Sequence, residues 1–166
     1  NFEIQLTSVP RDTIVKPVCS SRYTKINESY PIGLIDGTKE EAAKCIVDTV
    51  SEFLNVPIDY YLQTNFDGVI AMVDAIDGIE IKSDYAFNEQ NSKGKRAVVK
   101  IKKGLQTMDG ETALGYARQR YDSSDYERGL RQQQVIIAVV KKIISNPTKY
   151  AGAVSNVIRE YFDTNL

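Results

Sequence analysis

Apolar residues along this chain follow two different periods. At residues 2–6 they alternate with polar residues, a period of two that predicts a strand with one buried face. Further strands are predicted at residues 58–64 and 78–82 and around residues 98–101, with the polar residues 88–95 as a solvated hairpin loop. These segments supply the sheet part of the expected fold.

Other apolar residues recur at helical spacing. Thr38 and Glu41 form a T-x-x-E capping box, which predicts that a helix begins there. The apolar spacing continues until Asn55 and Pro57, where the helix is expected to end. A short helix is predicted next, over residues 66–76.

The C-terminal half carries two more predicted helices. One covers residues 111–120, and a longer one has an apolar stripe at residues 135–144 and ends before the Asn-Pro pair at residues 146–147. A second capping box at residues 124–127 predicts the start of the longer helix. Residues 25–37, by contrast, are polar and rich in turn formers, and we expect a loop there.

Strands that alternate with helices predict a mixed α/β (α+β) fold in which a central β-sheet is covered by helices. A length of 166 residues with 42% hydrophobic content suits one domain with a genuine core. We see no internal repeat, linker or low-complexity tail. A single domain is therefore expected.

The charge balance excludes some functions. Lysine and arginine total 21 against 22 acidic residues, so the net charge of -1 provides no global positive field for nucleic acid or an anionic membrane. The longest apolar run, residues 135–140, is far shorter than the ~18 residues of a membrane-spanning helix. Any anion binding must come from local clusters of positive charge.

The chain has no histidine and two cysteines. The lack of histidine removes Ser-His and Cys-His nucleophile systems. It also argues against a structural zinc site, because two cysteines cannot supply the four cysteine or histidine ligands that such a site needs. Cys45 fits a small core residue of a helix and Cys19 a loop residue, so two free thiols are the favoured interpretation. A disulfide between them is the alternative.

Four arginines lie within fourteen residues, at positions 118, 120, 128 and 131. Arg128, Arg131 and Gln132 are spaced to share one face near a helix N-terminus, where unpaired N–H groups already favour anions. Guanidinium groups bind phosphate oxygens in pairs, so this geometry suits a pyrophosphate. The alternative is surface ion pairing with nearby acidic residues, and composition alone favours it.

Whole phrases of sequence carry more information than the arginine cluster. Their order along the chain closely resembles that of the LytR-CpsA-Psr domain of Gram-positive cell-wall proteins. The phrases are Val9-Pro10-Arg11-Asp12-Thr13, Lys25-Ile26-Asn27, Val56-Pro57-Ile58-Asp59-Tyr60-Tyr61, Leu105 through Met108-Asp109-Gly110, Tyr116-Ala117-Arg118-Gln119-Arg120, and Asp125 through Arg128 to Arg131-Gln132-Gln133-Gln134.

The resemblance implies an enzyme. The implied activity is that of a phosphotransferase that would move an anionic glycopolymer, of the teichoic acid or capsular polysaccharide type, from a polyprenyl pyrophosphate carrier to peptidoglycan, with Mg²⁺ as the expected cofactor. It implies a place on the extracytoplasmic face of the bacterial membrane, through an anchor that this chain does not contain. An apolar channel for the lipid is expected among residues such as Phe66, Ile70 and Ile136, although ordinary core packing is the favoured interpretation.

The resemblance also assigns roles to residues. Arg11, Arg118, Arg120, Arg128 and Asp125 match the catalytic positions. The same four arginines, with Arg131, Gln132 and Lys25, are expected to bind the pyrophosphate. We further expect Arg11 to converge with the later arginines on one cavity.

Two features depart from the family pattern. Its members normally begin with an earlier strand that carries an aspartate and an Arg-Ser-Asp phrase, which help to hold the metal, and nothing before Asn1 matches them. The chain also stops at Leu166, sooner than many relatives. We therefore expect residues 1–166 to be the catalytic domain without its front strand, with metal ligands unassigned. A non-catalytic protein that binds polyprenyl phosphate or regulates the envelope is the alternative.

Overall fold

The structure, a computed structural model, describes residues 5–96, 98–119 and 125–166, and of Asp125 the backbone only. Backbone contacts divide the chain into two compact units. The smaller unit comprises Thr7–Tyr61 and Asn165–Leu166, and the larger unit comprises Leu62–Thr164 and the described residues before Thr7. The strand predicted at residues 2–6 lies mostly outside the described residues.

The smaller unit begins with a short antiparallel pair, β1 (Ile14–Val15) and β2 (Thr24–Lys25). A 3₁₀ turn at Ile26–Glu28 leads into α1 (Ser29–Leu34). The loop predicted for residues 25–37 is therefore wrong over much of its length. Pro31 does not prevent the helix, because it lies in the first turn, where a backbone N–H has no helical partner to lose.

Helix α2 (Lys39–Leu54) begins and ends as predicted. Glu41 N–H donates to Thr38 Oγ1 at 3.2 Å, and Thr38 N–H donates to the Glu41 carboxylate at 2.7 Å, which completes the capping box. Asn55 ends the helix in the left-handed conformation, with φ of 53°.

Cys19 and Cys45 form a disulfide with Cα atoms 5.7 Å apart, so the favoured interpretation of two free thiols is wrong. Cys45 is a buried residue of α2, as expected. Cys19 lies in the turn after β1, and this turn rests on α2, where Val18 N–H donates to Thr49 Oγ1 at 3.2 Å. Spacing along the sequence gave no sign that the turn would reach the helix.

The larger unit contains four helices and six strands among its described residues. In chain order they are β3 (Leu62–Thr64), α3 (Phe66–Ala75), β4 (Ile79–Ser83), β5 (Phe87–Glu89), β6 (Val99–Ile101), β7 (Gly104–Met108), α4 (Gly110–Arg118), α5 (Asp125–Ser145), α6 (Pro147–Tyr161) and β8 (Phe162–Thr164). The strands pair antiparallel as β3 with β8, β4 with β7, and β5 with β6.

The mixed α/β class is confirmed, whereas the described strands form separate pairs in place of one continuous central sheet. The strand predicted at residues 58–64 is shortened to β3. Ahead of it, the Asn165 side chain accepts from Tyr61 N–H at 3.0 Å and donates to the Asp59 carbonyl at 2.8 Å. A single side chain thus takes the place of a strand partner.

The Asn-Pro pair at residues 146–147 ends α5 as predicted and also begins α6, which the sequence did not predict. Asn146 Oδ1 accepts from Lys149 N–H at 3.2 Å, and Pro147 occupies the first helical position. Proline is favoured there because its missing N–H needs no partner.

The core of the larger unit lies where α3, α4, α5 and α6 cover strands β4, β6 and β7. Its fully buried side chains include Ile76, Ile79 and Met108. Helix α4 packs closely on α3 at Gly110, where a Cβ would collide with the backbone of Ile70. Gly110 N–H donates to Asp74 Oδ1 at 2.7 Å. This close contact fixes the course of α4.

Candidate functional site

Arg118 lies in the last turn of α4 and packs on an aromatic ring. Its Cζ is 4.4 Å from the centroid of Phe66, the first residue of α3. Because Gly110 lies beside Ile70 and Arg118 beside Phe66, α3 and α4 run antiparallel. Cation–π contact of this kind holds the guanidinium in place without consuming its hydrogen-bond donors.

One nitrogen of the Arg118 guanidinium, Nη1, is buried and has no hydrogen-bond partner among the described residues. Arg118 also makes no ion pair with any described residue. Surface ion pairing, the alternative for this cluster, therefore does not describe Arg118. A buried charged donor without a partner is costly and is expected to have a ligand.

Arg131 has a different environment, since it is only 5% exposed. Its Nη2 donates to the carbonyl oxygen of Gln119 at 2.7 Å. Gln119 is buried and follows the last turn of α4. Arg131 therefore joins the start of α5 to the end of α4, and it holds these two helix ends next to each other. Its predicted contact with substrate stays a prediction.

Arg128 precedes Arg131 by almost one turn of α5 and is partly buried. Gln132, the residue after Arg131, is exposed. The three residues predicted to share one face therefore differ in burial. Arg131 is buried, Arg128 is partly buried and Gln132 is exposed to solvent. Arg128 therefore lies near the N-terminus of α5, at the end of that helix which Arg131 holds against α4.

A second side-chain contact joins α4 to α5, from the buried Tyr116 to the exposed Gln134. The Tyr116 hydroxyl donates to Gln134 Oε1 of α5. Burial raises the pKa of Tyr116, while the nearby positive charge of Arg131 lowers it. Tyr116 stays neutral and helps to fix α5 against α4.

Arg120 lies outside the described residues, as does the side chain of Asp125. The roles predicted for these two residues, and the capping box at residues 124–127, stay predictions.

The smaller unit brings together two of the sequence phrases. Asn27 N–H donates to the Arg11 carbonyl at 3.2 Å, and Ile26 N–H donates to the Thr13 carbonyl at 2.8 Å. Asp12 Oδ1 lies 3.1 Å from Lys25 Nζ and 3.7 Å from Arg11 Nε. Arg11 and Lys25 thus flank one carboxylate, and the expected convergence of Arg11 with the later arginines stays a prediction.

Magnesium prefers six oxygen ligands, often including carboxylates. Within the described ranges, no group of three or more histidine, cysteine, aspartate or glutamate residues is placed to hold a metal ion. The described residues therefore do not by themselves fit a magnesium site.

Two residues that contact the arginines of the site, Gln119 and Phe66, are not predicted as site residues from the sequence. Gln119 lies inside the Tyr-Ala-Arg-Gln-Arg phrase, but its buried carbonyl is a backbone group that residue type does not reveal. The sequence indicates Phe66 only as an apolar channel residue, because its contact with Arg118 depends on how α3 and α4 pack.

The whole chain, residues 1–166, matches the LytR_cpsA_psr family. The polyisoprenyl-teichoic acid–peptidoglycan teichoic acid transferase TagU of Bacillus cereus is 35% identical over 170 residues, which cover 100% of this chain and 51% of that protein. The solved structure of B. subtilis TagV has a TM-score of 0.75 at 31% identity, covering 95% of this chain and 58% of TagV.

A structure of TagT bound to LI-WTA has a TM-score of 0.69 at 27% identity and covers 95% of this chain and 55% of TagT. This chain thus spans about half the length of the curated relatives it matches. The family model covers every residue, and the relatives exceed 30% identity over the full chain. The chain belongs to the LytR-CpsA-Psr family.

Proposed function

We propose that this chain forms the arginine-bearing part of a phosphotransferase that moves an anionic glycopolymer from a polyprenyl pyrophosphate carrier to peptidoglycan. The observation that carries the proposal is the Arg118 guanidinium, stacked on Phe66 with one buried nitrogen that has no partner among the described residues. A pyrophosphate oxygen would satisfy that donor and its charge together.

The relatives support the substrate class. TagU is named as a transferase of teichoic acid from a polyisoprenyl carrier to peptidoglycan, and TagT has been solved with LI-WTA bound. The donor substrate of such a reaction is rich in phosphate, in its pyrophosphate and in the teichoic acid itself. Planar, permanently charged arginine side chains are well suited to hold them.

In the proposed reaction, a hydroxyl oxygen of peptidoglycan attacks the phosphorus atom that bears the glycopolymer. A new P–O bond forms while the bond to the bridging oxygen breaks, and polyprenyl phosphate leaves. Arg118 and Arg128 stabilise the charge on the phosphoryl oxygens, as preorganised donors do in phosphoryl transfer. Asp125 is the proposed acceptor of the hydroxyl proton. Arg131 keeps α4 and α5 together so that the donors stay in place.

Magnesium is proposed as cofactor because several phosphate charges must be neutralised at once. Its ligands are not assigned to residues of this chain.

The Cys19–Cys45 disulfide supports a location outside the cytoplasm, because disulfides persist in oxidising compartments. No helix formed by the described residues is long and apolar enough to cross a membrane. We propose the extracytoplasmic face of the membrane as the place of action, with an anchor supplied from outside the described residues.

The test is a transfer assay on the membrane-anchored protein that contains this chain. Polyprenyl-pyrophosphate-linked teichoic acid is incubated with peptidoglycan, and phosphate that becomes covalently bound to the glycan is measured. We expect transfer that stops in excess chelator and falls strongly in Arg128→Lys. Tight lipid binding without any transfer would favour the non-catalytic alternative, and undiminished transfer in chelator would exclude the metal.

A further inference from the structure

The smaller unit carries an exposed ribbon in which only Lys25, at its end, is expected to take part in the proposed reaction. The ribbon comprises β1, β2 and the turn between them, residues 14–25. Ile14 is opposite Lys25 and Val15 is opposite Thr24 in the antiparallel register. Since side chains alternate between the two faces of a strand, Ile14, Tyr23 and Lys25 lie on one face.

That face is turned to solvent and is partly apolar. Ile14 is 62% exposed and Tyr23 is 75% exposed, whereas Val15 on the opposite face is 7% exposed. The alternation continues into the turn, where Lys16 and Val18 are exposed around a buried Pro17. The ribbon therefore has one face packed on the unit and one face made of aliphatic, aromatic and basic side chains.

The ribbon also has free positive charge. Lys16 and Arg22 are exposed, and neither makes an ion pair with any described residue. Lys25 is partly neutralised by Asp12 at 3.1 Å. In a chain of net charge -1, these cations are a local feature.

The ribbon is held in a fixed position. The Cys19–Cys45 disulfide ties its turn to α2, and Val18 N–H donates to Thr49 Oγ1 on the same helix. A surface that is already ordered loses little conformational entropy on binding. This rigidity distinguishes the ribbon from an ordinary surface loop.

We infer that the outward face of the ribbon rests on the surface of an anionic lipid bilayer. Lysine and arginine are attracted to anionic headgroups, and tyrosine favours the interface, where its ring is half in the apolar region. A soluble polyanion would use Lys16 and Lys25, the basic residues of this face in the register, but would give Ile14 and Tyr23 no role. The combination of apolar and basic side chains on one face therefore favours a lipid surface.

The experiment is co-sedimentation of the full chain with vesicles of phosphatidylcholine, with and without phosphatidylglycerol. We expect binding only when phosphatidylglycerol is present. Lys16→Gln should lower the partition coefficient about fivefold, as expected for one basic residue at an anionic surface. The double variant Ile14→Ser/Tyr23→Ser should also reduce binding.

The matched controls lie on the larger unit. Lys93→Gln removes an exposed cation and Leu105→Ser an exposed leucine, and both should bind as the unchanged chain does. Thermal melting identifies any variant that is misfolded. If the double variant Ile14→Ser/Tyr23→Ser is misfolded, Tyr23→Ser alone replaces it. Equal binding by ribbon and control variants, or no binding to either vesicle, would overturn the inference. A third result would also overturn the inference. If Ile14→Ser/Tyr23→Ser binds vesicles normally and a soluble polyglycerol phosphate displaces the unchanged chain from them, the ribbon is a polyanion site.

Discussion

Arginines that are neighbours in the sequence have different physical roles. Arg118 is stacked on Phe66 and keeps a buried nitrogen without a described partner, whereas Arg131 is buried and bonded to the Gln119 carbonyl. The first arrangement leaves a donor for a ligand, and the second connects two helices. Residue type alone does not separate these roles, whereas the bond from Arg131 to the Gln119 carbonyl does.

This difference predicts opposite effects of substitution. Arg131→Ala should lower the free energy of unfolding by roughly 1.5 to 3 kcal/mol, because it removes a charged hydrogen bond and leaves a buried carbonyl without that donor. Arg118→Ala should cost less, about 0.5 to 1 kcal/mol for the lost ring contact, while ligand binding falls sharply. Urea denaturation of both variants checks the ranking. An Arg118 variant that is the less stable of the two would contradict these roles.

At the scale of elements, the position of Arg118 depends on how closely α4 approaches α3. Gly110 permits that approach, because any Cβ there would collide with Ile70. The hydrogen bond from Gly110 to Asp74 then fixes the start of α4. The far end of the same helix carries Arg118 to Phe66.

Gly110→Ala should therefore destabilise the protein by about 1 to 3 kcal/mol, the usual cost of overpacking. Gly152→Ala in α6 is the matched control, since a Cβ there meets no atom within 4 Å. Alanine is the better helix former by roughly 1 kcal/mol, so this variant should be more stable. Thermal melts of both proteins test the pair. Similar effects of the two substitutions would mean that close packing at Gly110 is not needed.

Elements with a strong local signal could be predicted from the sequence. The capping box of α2, the apolar stripe of α5 and the alternation in β4 all encode their structure within a few residues. Elements that depend on distant partners could not be predicted. Examples are α6, whose starting Asn-Pro pair indicates only the end of α5, and the region before β3, which bonds to the side chain of Asn165.

The sequence predicts which residue types form the candidate site, but it predicts the role of each residue less well. The phrases around Arg11, Lys25 and Arg118 identified the family, and the family match confirms that inference. The contact between Arg118 and Phe66 and that between Arg131 and Gln119 arise from helix packing. Such contacts join residues that are far apart in the sequence or that act through backbone atoms.

At the scale of the whole molecule, the disulfide connects stability with compartment. Cys19 and Cys45 are separated by 26 residues. Closing a loop of this length is worth about 3.5 kcal/mol in the chain-entropy estimate. A chain that depends on this bond is best suited to an oxidising environment.

Reductant should therefore lower the melting temperature of the protein, and the double variant Cys19→Ala/Cys45→Ala should melt at a similarly reduced temperature. The variant itself is the control, because reductant should not change its melting temperature further. An unchanged melting temperature of the parent protein after full reduction would show that the disulfide does not contribute to stability.

The central claim is that Arg118 and Arg128 hold a pyrophosphate through paired, planar donors. The most direct measurement is a titration of polyprenyl pyrophosphate against the unchanged protein, Arg118→Lys and Arg128→Lys, with Arg159→Lys on the exposed surface of α6 as control. Lysine keeps the charge but loses the two-pronged donor. Each site variant should lose roughly 1.5 to 3 kcal/mol of binding free energy, a fall in affinity of about tenfold or more, while the control binds normally. Equal affinities in equally folded proteins would contradict the account and leave these arginines as structural residues of the helix pair.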